Sequence, residues 1–180
     1  MKLVVFGLAV ALACVVVCGT ESGIAWHESH EAALEAAADD QLPLMVMITK
    51  GYCGACKALK AKFAADPTPV QEYENKVVMV HLEDDKEPAD PEYAPDGGYI
   101  PRIIFVAPDG TVLTDVKNEG GNPKYGYFYP TLEEIAVSLE KVSDMYPPPS
   151  PNDDGVGAED GAGAGDGAGD GDGEDVKIDL

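Results

Sequence analysis

The pattern of apolar and polar positions divides the chain into three stretches. Residues 3–17 (LVVFGLAVALACVVV) are almost wholly apolar, residues 20–150 alternate apolar runs with charged segments, and residues 151–180 hold almost nothing to bury. Within the middle stretch, residues 28–40 (ESHEAALEAAADD) are rich in Ala and Glu and predict a helix. Residues 42–49 (LPLMVMIT) form a short continuous apolar run, the pattern of a strand covered on both faces. A helix is predicted from Cys53, with Cys56, Leu59 and Phe63 on one face and Lys57, Lys60 and Lys62 mostly solvated; Pro67 and Pro69 end it. Residues 77–82 (VVMVHL) and 102–106 (RIIFV) read as two further buried strands, separated by an acidic, Pro-containing loop over 83–95. Pro108-Asp109-Gly110-Thr111 predicts a hairpin-type turn into a fourth strand over 112–116. Thr131 is an N-cap candidate for a last helix running to about Met145, with Ile135, Leu139 and Val142 at helical spacing. A βαβ unit followed by an antiparallel pair and a closing helix predicts an α/β domain: a central mixed β-sheet flanked by helices.

The two ends read as addresses rather than as parts of the fold. Met1-Lys2, the apolar run and the small residues Cys18, Gly19 and Thr20 follow the order of a secretory signal peptide, expected at 1–19 with cleavage after Gly19. The run is fifteen residues long, short of the ~20 that a spanning helix needs, so no membrane insertion is expected after cleavage. Residues 151–180 are Gly, Asp, Glu and Ala with ten acids against one Lys. Such a stretch cannot offset its ordering entropy, and a disordered acidic tail is expected. It ends in Lys177-Ile178-Asp179-Leu180, which resembles the KDEL/HDEL endoplasmic-reticulum retrieval signals and implies a retrieval receptor as partner.

Charge and cysteine count narrow the chemistry of residues 20–150. The whole chain has 12 Lys+Arg against 33 Asp+Glu, net −21, and the middle stretch alone is −13. That argues against a phosphate-backbone binder, which needs a basic surface, so no nucleic-acid partner is expected. Of four cysteines, Cys14 and Cys18 leave with the signal, and Cys53 and Cys56 remain as a CxxC pair. The alternative to a redox pair is half a zinc site. Zinc wants four ligands, and the remaining His27, His30 and His81 are not close to the pair in sequence, so no metal is expected. Two thiols three apart at a helix start suit disulfide exchange. The first faces free backbone N–H groups and the positive end of the helix dipole; the second lies one turn in. Cys53 is therefore the expected nucleophile and Cys56 the resolving thiol.

A buried strand leading to an aromatic residue and then C-G-x-C-K at a helix start resembles the thioredoxin-fold family. The Ile100-Pro101 step before a strand resembles that family's cis-proline element, and the resemblance spans residues 24–146. The runs GYCGACKALKAKFA, PDGGYIPRIIFVAPDG and NPKYGYFY resemble, within it, the small endoplasmic-reticulum members related to the anterior gradient proteins. The resemblance implies a thioredoxin fold over 20–150. It also implies a thiol–disulfide oxidoreductase of the endoplasmic reticulum lumen acting on protein disulfides, with glutathione as redox partner and no bound cofactor. The alternative it implies is a chaperone-like or scaffold binding module of the anterior gradient type, with incidental redox activity. It places Ile100 and Pro101 in the substrate-binding wall, with a cis bond between them. Tyr52 stands where the family usually has Trp, and Met47 stands where it usually has a buried acid. Lys50, His81, Trp26 and the Tyr125/Tyr127/Phe128/Tyr129 group are expected to be solvated or packing residues.

Overall fold

A computed structural model describes residues 23–149. The signal peptide expected at 1–19, the tail expected at 151–180 and the terminal tetrapeptide lie outside the described residues. The elements run α1 (His30–Asp40), β1 (Leu44–Thr49), α2 (Gly54–Ala65), α3 (Thr68–Gln71), β2 (Val78–Glu83), β3 (Arg102–Val106) and α4 (Leu132–Met145), with 3₁₀ turns at Asp84–Lys86 and Pro91–Tyr93. Local sequence sets their limits. Ser29 caps α1 by accepting the Ala32 N–H at 3.1 Å, and Gln41 closes it in the left-handed region. Thr131 caps α4 by accepting the Glu134 N–H at 3.3 Å, with Glu133 and Glu134 at the positive end of the dipole.

The strands form one sheet in the order β2-β1-β3. β1 runs parallel to β2, with Met47 beside His81, and antiparallel to β3, with Met47 beside Ile103. The right number of residues lies between β1 and β2 for a helical crossover, and α2 supplies it. All six residues of β1 are buried, which is what its continuous apolar run implied. Its alternation divides the core in two. Met45 and Met47 join Leu59 and Phe63 of α2 and Ile135, Leu139 and Val142 of α4. Leu44, Val46 and Ile48 join Ala33 and Ala37 of α1. The sheet is thus covered on both faces, and the expected mixed sheet flanked by helices is the observed fold.

The fourth strand expected over 112–116 does not form. The turn does: Gly110, at φ +88°, donates its N–H to the Ala107 carbonyl at 2.9 Å. Beyond it, Val112 makes a single antiparallel bridge to Val106. The Val116 N–H then turns back onto the Leu113 carbonyl at 3.0 Å, which removes it from a ladder. The antiparallel partner of β3 is therefore β1, not a hairpin strand. Among the described residues no helix is long and apolar enough to cross a membrane.

Candidate functional site

β1 ends at Thr49, and the chain turns through Lys50-Gly51-Tyr52 into α2. Cys53 is the N-cap of that helix, in extended conformation, and its Sγ accepts the Cys56 N–H at 3.1 Å. This is the geometry of a capping oxygen with sulfur in its place. The first turn of α2 contains no acidic side chain, so no carboxylate competes with a thiolate for the positive end of the helix. Cys56, one turn in, is fully buried, whereas Cys53 is partly exposed. The two sulfurs are joined as a disulfide with the Cα atoms 5.3 Å apart. Tyr52, at 81 % exposure, stands in solvent beside the pair.

The opposite wall is the segment leading into β3. The Ile100–Pro101 peptide is cis, and the Ile100 carbonyl oxygen lies 3.8 Å from Cys53 Sγ. Tyr99 anchors this wall: its hydroxyl donates to Asp96 Oδ2 at 2.9 Å and accepts the Tyr127 N–H at 2.9 Å. Burial, reinforced by the Asp96 carboxylate, drives its phenol pKa upward, so the hydroxyl stays protonated for both bonds. From the wall a shallow groove runs along α2, lined by Ala55, Ala58, Lys62, Pro101, Phe128 and Pro130. Two of its lining residues are joined, Lys62 donating to the Pro130 carbonyl at 2.8 Å. The structure therefore brings Cys53, Cys56, Ile100 and Pro101 together at one end of the sheet.

The other residues singled out in the sequence occupy distinct places. Met47 is buried in the core cluster with Leu59, Phe63 and Ile103, so an apolar side chain fills the position where the resemblance expects an acid. The neighbouring polar groups on β1 and β2 are Thr49 and His81, joined at 2.8 Å through Oγ1 and Nε2. Burial lowers the His81 pKa despite the opposing charge of Glu83, so the ring is neutral at physiological pH. Trp26 packs edge-on to Phe63 and tilted on His81, with centroids at 5.5 and 5.9 Å. Tyr127 and Tyr129 are buried, Tyr127 donating to the Thr114 carbonyl at 2.6 Å and Tyr129 meeting Ser138 Oγ at 3.0 Å. Two members of that aromatic group line the groove, the half-buried Phe128 and the buried Tyr129. His30 Nε2 is taken up by the Tyr93 hydroxyl at 2.8 Å. Among the described residues no group of three or more His, Cys, Asp or Glu is gathered as a metal would need.

Lys50 is not a solvated strand end. It pairs with Glu87 at 2.5 Å and donates to the Asp84 carbonyl at 2.6 Å. Arg102, which the pattern places only within a strand, is 1 % exposed and donates to Glu87 and to the carbonyls of Tyr93 and Tyr99. Its burial has one signal in the sequence: a charged residue opening an apolar strand, downstream of an acidic loop that can neutralise it.

A thioredoxin-like family profile matches residues 25–108. Anterior gradient protein 1 of Xenopus laevis is 32% identical over 127 residues, which cover 71% of this chain and 68% of that protein. Human anterior gradient protein 3 is 35% identical over 123 residues, 68% of this chain and 73% of that protein. A solved structure described as DsbH oxidoreductase aligns with TM-score 0.45 and 15% identity, over 75% of this chain and 95% of that one. The fold, the family matched and the Cys53–Cys56 pair agree on one chemistry, thiol–disulfide exchange.

Proposed function

The chain belongs to the anterior gradient family of thioredoxin-like proteins, and from that premise we propose that it is a glutathione-coupled thiol–disulfide oxidoreductase acting on protein disulfides in the endoplasmic reticulum lumen. The observation that carries the reading is the inequality of the two cysteines: Cys53 caps α2 and is partly exposed, and Cys56, one turn in, is fully buried. A binding module has no use for Cys56, so the intact pair favours exchange over the scaffold alternative.

In the reducing direction, the Cys53 thiolate attacks one sulfur of a client disulfide. A mixed disulfide forms, and the other client sulfur leaves as a thiolate and takes up a proton. Cys56 loses its proton and attacks Cys53 Sγ, expelling the second client thiol. The client gains two electrons and the pair becomes the disulfide seen here. Two glutathione molecules, oxidised to their own disulfide, return the pair to dithiol. In reverse, the protein donates its disulfide. Ile100 and Pro101 provide the wall along which the client backbone lies, and the Lys177–Leu180 tetrapeptide, read by its receptor, supplies retention.

Insulin reduction by glutathione tests the reading. The wild type accelerates it, and Cys53→Ser abolishes the acceleration; equal rates with and without Cys53 refute it. For the address, removal of residues 177–180 sends the protein to the medium, and equal retention of both forms refutes that part.

A further inference from the structure

The acidic stretch after β2 is built into the back of the exchange site. Asp84, at φ +57°, turns its carboxylate onto the preceding wall, where Oδ1 accepts the Gly51 N–H at 2.9 Å. The Asp84 carbonyl and Glu87 Oε2 both receive Lys50 Nζ, at 2.6 and 2.5 Å. Lys50 in turn offers its own carbonyl to the Cys53 N–H at 3.1 Å. On the other side, Glu87 Oε1 accepts from Arg102 Nη2. Arg102 directly follows Pro101, and its Nη1 and Nε reach the carbonyls of Tyr99 at 2.5 Å and Tyr93 at 3.1 Å. One carboxylate thus holds a cation from each wall, and the walls are otherwise far apart in sequence.

We infer that Glu87 is a positioning residue of the exchange site: by gripping Lys50 and Arg102 together, it fixes the distance between Cys53 and the Ile100 carbonyl. The geometry stands by itself; its purpose rests on the exchange reading above. Two features single out this contact from an ordinary surface ion pair. Arg102 is buried, so its guanidinium is held in one place by three partners rather than free to rotate. Lys50 is one turn of chain from the nucleophile, with Gly51 pinned beside it. Burial pushes the Glu87 carboxyl up, but hydrogen bonds from Lys50 and Arg102, with their charges, outweigh it and hold the group below its ordinary range. The strut is therefore ionised at neutral pH.

The test uses the full chain as wild type, Glu87→Gln and Lys50→Met, in two arms. In the first, amide hydrogen exchange is followed by mass spectrometry. Glu87→Gln speeds exchange over both 50–53 and 97–102, by roughly tenfold, the size of one charge-assisted hydrogen bond. Lys50→Met loosens 50–53 alone. Loosening of one wall or of neither in Glu87→Gln overturns the strut. In the second arm, insulin, which must lie across both walls, is compared with hydroxyethyl disulfide, a small neutral disulfide that needs only Cys53. Glu87→Gln raises KM for insulin with kcat little changed and leaves the small disulfide within about twofold. An equal loss on both substrates marks a merely structural residue and overturns the positioning role. If the wild type reduces neither substrate, the proposed function falls while the hydrogen-exchange arm still decides the strut.

Discussion

Cys53 and Ile100 are 47 residues apart in sequence, yet the sulfur of one lies 3.8 Å from the carbonyl oxygen of the other. The contact joins the start of α2 to the entry of β3 across the end of the sheet, since β1 and β3 are neighbours. Under the exchange role proposed above, a client disulfide attacked by Cys53 meets the Ile100 backbone at the same moment.

The asymmetry of the pair predicts unequal acidity. In the reduced protein, the Cys53 thiol is expected to be shifted downward and to be the more acidic of the two, as helix-start thiols are. The causes are the Cys56 N–H aimed at its sulfur and the dipole of α2, with no acid in the first turn to oppose them. Cys56, fully buried, does not share the shift. Iodoacetamide rates against pH, read separately at each cysteine by mass spectrometry, check this. Equal reactivity near pH 6 contradicts it.

Arg102 predicts a stability effect independent of redox chemistry. Arg102→Met removes three donors at once and leaves the Glu87 carboxylate with Lys50 alone. Breaking a buried charged pair from one side costs about 3 kcal/mol, near the lower end of the usual range because Glu87 is partly exposed. Arg102→Lys does not rescue, since one ammonium cannot span the three acceptors. Urea unfolding midpoints of the oxidised proteins measure both.

His81 predicts a pH dependence of stability. Its folded pKa is depressed, chiefly by burial, so the unfolded chain binds the proton more readily than the native one. Stability from this group is fully present above the unfolded pKa of about 6.5 and is lost as pH falls through the lower folded value. His30, also lowered by burial, contributes with the same sign. Replacing His81 by Gln, which keeps a partner for Thr49, flattens the acid side of the urea-midpoint profile. An unchanged profile contradicts the assignment.

Much of the fold was legible because the core strands are continuous apolar runs. Residues 102–106 were read to their limits, and β2 differs by one residue at each end, with Val77 buried just outside the ladder. The predicted strand over 112–116 has the right residue types, but a turn at Thr114-Asp115 closes it after one bridge. Hydrogen bonding, not propensity, decided that segment. The short α3 after Pro67 was hidden by prolines that the pattern read as a stop. At the site, Cys53 and Cys56 were visible in spacing alone, and the cis Ile100-Pro101 step through family resemblance. The Lys50–Glu87–Arg102 link was not. An acidic loop, a strand-end lysine and a strand-start arginine each have a solvated reading, and only their meeting in space removes it.

The central claim is that Cys53 attacks and Cys56 resolves. The most direct measurement is mass spectrometry of Cys56→Ala after incubation with oxidised glutathione and, separately, with a disulfide-bonded protein. A stable mixed disulfide at Cys53 is expected in both cases, because attack survives and resolution does not, and no adduct with Cys53→Ser. Full turnover by Cys56→Ala on the protein disulfide, or an adduct forming as readily in Cys53→Ser, contradicts it.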